Sequence, residues 1–246
     1  MNPNAIILSP HFDDAVLSCW HVLATAGEVL VVNVFAGKPP VGTLGWWDRL
    51  AGATDSAAMV QTRIEEDSRA LALAGCTAVN LPFLDGQYRQ ADQPPGEIVE
   101  ALREVLTADT RVYAPASVGH HHHDHAAVLM AALALHAEGA EVTLYADLPH
   151  ATMLLGWPRW VPNGNSSSEA DPAGEQWASQ LKAAGVPDER LVARTQQLSA
   201  AEHAGKLEAL FTYDSQIASL QQLAGSSLTD RQTLGFEVTW QLGLVT

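Results

Sequence analysis

The alternation of short, continuously apolar runs with segments of helical pattern constrains this chain more than any other feature of its sequence. Ala5–Ser9 and residues 29–35 are β-prone runs, and residues 13–26 between them have a helical pattern. Because these strands are continuously apolar, both faces of their sheet must be buried, which is typical of a parallel sheet covered by helices. The first 35 residues therefore predict a strand–helix–strand unit.

The same pattern repeats along the chain. Further strands are predicted near residues 79–84, 111–115, 142–146 and 235–242, and further helices near 57–74, 97–107, 125–138 and 199–210. Alternating elements of this kind predict an α/β fold, with a Rossmann-like, doubly wound, mostly parallel sheet and helices on both faces. We expect one domain over residues 1–246, because no repeat or second core is visible.

Two irregular insertions interrupt this alternation. Residues 37–53 are rich in Gly and Pro and predict a surface loop, and residues 156–187 are polar without an apolar period and predict a mobile insertion. These insertions contain four tryptophans: Trp46, Trp47, Trp157 and Trp160. Such side chains either form the apolar wall of a sugar-binding cleft or pin a loop to the domain surface, and both interpretations stay open.

The charge balance excludes two classes of partner. With 28 acidic residues against 13 Lys and Arg, the net charge is −15, so nucleic acid and anionic membrane surfaces would be repelled. Cys19 and Cys76 lie in apolar runs and are too few for a disulfide framework. The start MNPNAIILSP lacks the features of a signal peptide or membrane span. We expect a cytoplasmic protein, and a homo-oligomer remains open.

The first group of chemically active side chains follows the first strand. Residues 9–14 read SPHFDD, which places His11, Asp13 and Asp14 at the carboxyl end of the sheet, where open α/β sheets bind ligands. One imidazole and two carboxylates supply either metal ligands or an acid and base pair. The structural alternative is that Asp13 caps the following helix.

The second group follows the strand predicted at residues 111–115. Residues 118–125 read VGHHHHDH, so both groups should face each other at one edge of the sheet. Consecutive histidines cannot all reach one site, and at most two or three of the five are functional. A solvated histidine run is the alternative, but metal or proton chemistry explains five imidazoles better.

Together these motifs resemble the PIG-L/LmbE family of metal-dependent N-acetylglucosamine deacetylases. The resemblance rests on PHFDD at 10–14 and HHDH at 122–125, and extends to RxxE at 63–66, Asp85-Gly86, Lys206 and YDSQ at 213–216. The chain departs from the commonest pattern at Phe12, where proline is usual, and at Ala15, where an acidic residue often follows the Asp pair.

The resemblance implies a role for each matching residue. The metal ligands would be His11, Asp14 and His125, leaving open positions for water and substrate. Asp13 would act as general base, and His122, oriented by Asp124, would stabilise the oxyanion and protonate the leaving amine. His121 or His123 could compete with His122 for that role.

The resemblance also implies substrate contacts and a metal. Arg63 and Asp85 would bind the substrate, although a surface ion pair and an Asp-Gly turn are their structural alternatives. Tyr213 and Gln216 are expected to support packing. Zn²⁺ is the default metal, and Fe²⁺ or another divalent ion suits the same ligands.

The predicted function is therefore metal-dependent hydrolysis of an N-acetyl or other N-acyl group on an amino-sugar-containing small molecule or glycoconjugate. Two alternatives stay open: an amidase acting on a larger conjugate, and a non-catalytic protein whose histidine run sequesters metal. A nucleotide-binding Rossmann protein is disfavoured, because no GxGxxG follows the first strand.

Overall fold

The computed structural model describes residues 3–107, 110–119, 122–153, 156–163, 170–186, 191–224 and 228–243. Within these residues, seven strands form one sheet. They are β1 Ala5–Ser9, β2 Val29–Asn33, β3 Thr77–Asn80, β4 Arg111–Pro115, β5 Val142–Tyr145, β6 Leu191–Gln197 and β7 Phe236–Leu242.

The strand order places the start of the chain at the centre of the sheet. The order is β3-β2-β1-β4-β5-β7-β6, and the strands from β3 to β5 are all parallel. β7 is antiparallel to both of its neighbours, β5 and β6. The chain runs outward in one direction from β1 and in the other from β4, so the crevice between the carboxyl ends of β1 and β4 is where such sheets bind ligands. The predicted fold class is confirmed.

Helices and a 3₁₀ turn connect the strands in the part of the chain that the structure describes. The helices are α1 Asp14–Thr25, α2 Trp46–Leu50, α3 Ser56–Ala72, α4 Pro95–Arg103, α5 His123–Ala137, α6 His150–Met153, α7 Trp160–Asn163, α8 Pro172–Ala183, α9 Ala200–Leu210, α10 Asp214–Ala224 and α11 Arg231–Leu234, and the 3₁₀ turn is Gly86–Tyr88. The helices α1, α3 and α9 contact one another, and α4 contacts α5. No helix among the described residues is long and apolar enough to cross a membrane.

The burial of the central strands explains why the alternation of strands and helices could be predicted from the sequence. All five residues of β1 are fully buried, and Ile6, Ile7 and Leu8 are among the largest of the fully buried side chains. A strand buried on both faces has no polar alternation to show, and that is how the sequence predicted it.

The prediction of a mobile insertion at residues 156–187 is wrong for α8, which is a regular helix. In α8, the carboxylate of Asp171 accepts the backbone N–H of Gly174, and Pro172 occupies the first turn. Trp177 and Leu181, four residues apart, are buried against the rest of the protein. Packing of this one face stabilises the helix, which its polar composition does not predict. Residues 164–169 and 187 lie outside the described residues.

The loop predicted at residues 37–53 also contains a helical turn, α2. Its Asp48 is fully buried, where it accepts the phenolic hydroxyl of Tyr88 at 2.5 Å and lies 2.7 Å from a guanidinium nitrogen of Arg63. These tertiary contacts, rather than local propensity, order the turn.

Candidate active site

The loop after β1 is held by its own side chains. The backbone N–H of His11 donates to Oδ2 of Asp14 at 2.8 Å, and the N–H of Ala15 donates to Oγ of Ser9 at 3.0 Å. Asp13 occupies the N-cap position of α1, but its side chain makes no capping hydrogen bond. The capping role that could have explained Asp13 is therefore not what its side chain does here.

Three side chains meet at the crevice between β1 and β4. Oδ2 of Asp14 lies 3.5 Å from Nδ1 of His11 and 3.4 Å from Nε2 of His125. One potential ligand atom from each residue lies within 4.8 Å of the others, and Asp14 and His125 are buried. Two imidazoles and one carboxylate in this arrangement fit a divalent metal and leave positions for water and substrate.

Each of these histidines has a carboxylate on its other side. Nδ1 of His125 lies 2.7 Å from Oδ1 of Asp147, and Nε2 of His11 lies 3.2 Å from Oδ2 of Asp124. Such carboxylate–histidine pairs fix the ring orientation and the tautomer of a metal-ligating histidine. Asp147 was missed from sequence, although it follows β5 at the same edge of the sheet as the two predicted groups.

The structure places the Asp124 carboxylate differently from the sequence expectation. It was expected to orient His122, but its Oδ2 faces His11 and accepts the backbone N–H of Gly86 at 2.9 Å, while Arg89 pairs with Oδ1. The Asp124 backbone donates its N–H to Nδ1 of His122 at 3.3 Å. Arg89, which the sequence did not single out, therefore positions the carboxylate that faces His11.

Of the histidine run, the structure brings His122 to the centre of the site. Its ring centroid lies 4.8 Å from that of His11 and 5.3 Å from that of His125. His123 is 71% exposed and pairs with Asp92 at 2.8 Å. His120 and His121 lie outside the described residues, so the competition of His121 with His122 stays a prediction.

Burial and neighbouring charges separate the proton affinities of the two aspartates. Burial, with the negative charge of Asp14, raises the pKa of Asp13 to about 6. Burial would also raise the pKa of Asp14, but the charges and hydrogen bonds of His125 and His11 outweigh it and lower that pKa. Burial, followed by the charge of His11, lowers the pKa of His122 to about 3. Asp14 thus stays a carboxylate, whereas Asp13 has the stronger proton affinity that suits a base.

A cavity of about 430 Å³ opens above these residues, and both predicted substrate-binding residues line it. Arg63 is buried in an ion pair with Asp48, so it is not a surface residue. Oδ1 of Asp85 accepts the backbone N–H of Gln87, as its turn interpretation predicts, and Oδ2 lies 4.0 Å from Nε2 of His11. Asp85 thus stabilises a turn with one carboxylate oxygen and lies near His11 with the other.

The four tryptophans of the insertions divide between two places. Trp46 and Trp47 line the cavity. Trp157 and Trp160 instead pack against Trp177, with ring centroids 5.6 and 6.4 Å away. The first pair is placed as a cleft wall would be, and the second pair pins its segment to the domain.

The remaining motifs hold the helices around the site. Glu66 accepts both the backbone N–H and the hydroxyl of Ser215, at 2.8 and 2.6 Å. The hydroxyl of Tyr213 is bonded to the carbonyl of Phe12 at 3.0 Å and lies 2.8 Å from Oδ1 of Asp67. Tyr213 therefore supports the loop after β1, as expected.

Comparison with protein families gives one match, which covers both groups of active side chains. A profile of the PIG-L family, described as GlcNAc-PI de-N-acetylase, matches residues 6–136. The chain belongs to the PIG-L family. No curated protein sequence matches it significantly.

Solved structures support the same assignment. A triple mutant of a deacetylase in the teicoplanin biosynthetic pathway is 28% identical over 98% of both chains, with a TM-score of 0.72. A zinc-inhibited form of a teicoplanin deacetylase is 26% identical over 97% of both chains, with a TM-score of 0.72. An A40926 pseudoaglycone deacetylase is 25% identical over 100% of this chain and 99% of its own, with a TM-score of 0.69.

Family and neighbours together identify this PIG-L protein as a deacetylase, a hydrolase that removes an acyl group from nitrogen with the help of a divalent metal. Its metal-ligand geometry and its general fold both agree with that class. The alternative of a non-catalytic metal-sequestering protein is not supported, because the family and the similar structures are those of deacetylases.

Proposed function

We propose that this chain hydrolyses the N-acyl amide of an amino sugar, with a divalent metal held by His11, Asp14 and His125. The observation that carries the proposal is the convergence of these three ligand groups in a cavity that Asp13 and His122 also line. Two histidines and one carboxylate leave the open positions that a catalytic site needs.

The roles of the chain's own residues follow from where they lie. When bound, the metal polarises the amide carbonyl and lowers the pKa of water. Asp13 accepts a proton from the water that adds to the carbonyl carbon. His122 is neutral because its pKa is lowered to about 3, so it donates a hydrogen bond to the carbonyl oxygen as negative charge develops there. Asp13 then passes the proton that it took from the water to the nitrogen as the C–N bond breaks, in place of the proton donation by His122 that the resemblance implied. The products are a carboxylate and a free amine.

A second set of residues positions the first. Asp147 holds Nδ1 of His125, so that Nε2 is directed towards Asp14. Asp124 does the same for His11, and Arg89 and the backbone of Gly86 hold Asp124 in turn. These contacts support Asp124 as a positioning residue for His11, in place of the orienting role towards His122 that sequence reasoning gave it.

For the metal we propose Zn²⁺, because imidazole and carboxylate ligands suit it, although they also suit Fe²⁺. One neighbour is described as a zinc-inhibited form, so the amount of zinc has to be controlled. For the substrate we propose an N-acetylated amino sugar or a glycoconjugate that carries one. The names of the neighbours, deacetylases of teicoplanin and of an A40926 pseudoaglycone, make larger conjugates part of the test.

The experiment starts from protein freed of metal with a chelator and reloaded with zero to three equivalents of Zn²⁺ or Fe²⁺. Released amine is measured for N-acetylglucosamine, its glycosides, teicoplanin-type conjugates and an N-acetylated peptide. We expect release from sugar substrates near one equivalent of metal and none without metal. Amine release from the peptide alone would favour the amidase alternative, and no release from any substrate would overturn the proposal.

A further inference from the structure

Gln216 is a buried donor that lines the cavity and has no acceptor in the part of the chain that the structure describes. It lies in the first turn of α10, is 5% exposed, and lines the cavity beside the candidate metal ligands. Its side-chain nitrogen Nε2 has no hydrogen-bond partner among the described residues. A buried amide donor is normally satisfied, so an unpaired one that lines a cavity indicates an acceptor on a ligand.

Arg63 shares these properties. It is 4% exposed and lines the same cavity, and its Nε lacks a hydrogen-bond partner in the described part of the chain. One turn later on α3, Glu66 bonds the backbone and hydroxyl of Ser215, the neighbour of Gln216. That contact ties α3 to the start of α10, so the segments that carry Arg63 and Gln216 adjoin, and both residues line the cavity.

The two side chains define the chemistry of what they bind. A guanidinium offers only donors, and the free nitrogen of a glutamine amide is also a donor, so the partner must be an oxygen that accepts. The ion pair with Asp48 offsets the positive charge of Arg63. A neutral hydroxyl therefore suits these two donors as well as a carboxylate does.

We propose that Gln216 joins Arg63, whose substrate contact is already expected from the resemblance, and donates a hydrogen bond to a hydroxyl or carboxylate oxygen of the sugar, separate from the acyl carbonyl. The inference rests on the proposed function for the identity of the ligand as a sugar. It gives Gln216 a part in substrate recognition, whereas its sequence motif predicted only packing. The subsite formed by Gln216 and Arg63 selects among N-acylated sugars by the acceptor that they carry.

The first test compares Gln216→Leu with Gln221→Leu in zinc-loaded protein. Gln221 lies on the same helix but is exposed, so it matches the change in chemistry and in helix. For Gln216→Leu we expect KM to rise about 3- to 10-fold with kcat within twofold, as for one lost hydrogen bond to a neutral group. Gln221→Leu should leave both constants unchanged. Gln216→Met is a second variant, which keeps an unbranched chain if leucine impairs folding.

The second test identifies the acceptor with substrate analogues. Wild type and Gln216→Leu are assayed with the 3-, 4- and 6-deoxy forms of N-acetylglucosamine and with its C6 carboxylate. If the acceptor is a hydroxyl, one deoxy form has a raised KM in wild type and no further rise in the variant. If it is a carboxylate, the C6 acid binds wild type more tightly than the parent sugar, and the variant loses that gain.

Binding is also read by quenching of tryptophan fluorescence, because Trp46 and Trp47 line the cavity. This readout does not need hydrolysis, so it separates the subsite from the proposed reaction. Absence of amine release with a Gln216-dependent sugar affinity would reject the reaction and retain the subsite. Equal sugar affinity and equal KM in wild type, Gln216→Leu and Gln216→Met would overturn the subsite, as expected if Gln216 meets only water.

Discussion

Replacing Asp147 with Asn tests how much the hydrogen bond from His125 to this carboxylate contributes to the candidate metal site. Asp147 is 1% exposed, and its Oδ1 lies 2.7 Å from Nδ1 of His125 while its Oδ2 accepts the backbone N–H of Val118 at 3.3 Å. Because a carboxylate can only accept, this contact keeps the proton on Nδ1 and leaves Nε2 free of it on the Asp14 side. Asparagine has nearly the same shape but no charge. With its oxygen towards His125, its amide nitrogen would face the backbone N–H of Val118, so two donors would meet.

The size of the effect follows from burial. A hydrogen bond to a charged group contributes about 1.5–3 kcal/mol, which corresponds to about 10- to 100-fold in an equilibrium constant. The same range, about 10- to 100-fold in metal affinity, is typical when the hydrogen-bond partner of a metal-ligating histidine is removed. We therefore expect Asp147→Asn to weaken Zn²⁺ binding by about 10- to 100-fold.

The assay titrates Zn²⁺ into metal-free protein in competition with a chromophoric chelator of known affinity. Asp92→Asn is the matched control, because Asp92 is 73% exposed and also pairs with a histidine, His123, at 2.8 Å. An exposed pair contributes about 0–1 kcal/mol, so this variant should bind zinc as the wild type does. A folded Asp147→Asn protein whose zinc affinity stays within threefold of wild type would refute the role given to Asp147.

Three further predictions concern catalysis and stability. Asp13→Asn should keep its metal and lose about 10²–10⁴ in kcat, measured by amine release and elemental analysis, whereas loss of metal would mean that Asp13 and Asp14 have exchanged roles. His122→Ala should also keep its metal and lose about 10²–10³ in kcat, and a loss below tenfold would remove His122 from the mechanism. Lys206→Met leaves Glu237 without its cation at a fully buried pair 2.8 Å long, so the free energy of unfolding in urea should fall by about 3–5 kcal/mol. Arg103→Met, at an exposed pair, should change it by about 1 kcal/mol or less.

The fold class could be predicted because its central strands carry their own signal. β1 and β4 were predicted with the bounds that the structure shows, Ala5–Ser9 and Arg111–Pro115. Once two strands of a parallel sheet are placed, the residues that follow them must lie at one edge. The meeting of His11 and Asp14 with His125 therefore followed from local pattern and topology.

Less regular elements could not be predicted in the same way. α8 has a polar sequence, and its stability depends on Trp177 and Leu181 finding a surface to pack against. β6 is an edge strand with mostly polar residues, and its pairing with β7 provides the hydrogen bonds that its composition does not predict. Both elements depend on partners far away in the chain.

By itself, then, the sequence determined the alternation of strands and helices, the family and the residues at the strand ends, because each depends on local pattern or on a motif. Only the tertiary structure decided which groups hold those residues in place. Asp147 reaches His125 across 22 positions and Arg89 reaches Asp124 across 35. The unpaired nitrogen of Gln216 has meaning only because folding buries it against the cavity. The energy of such contacts depends on burial and on the partner's position, and neither is a property of a stretch of sequence.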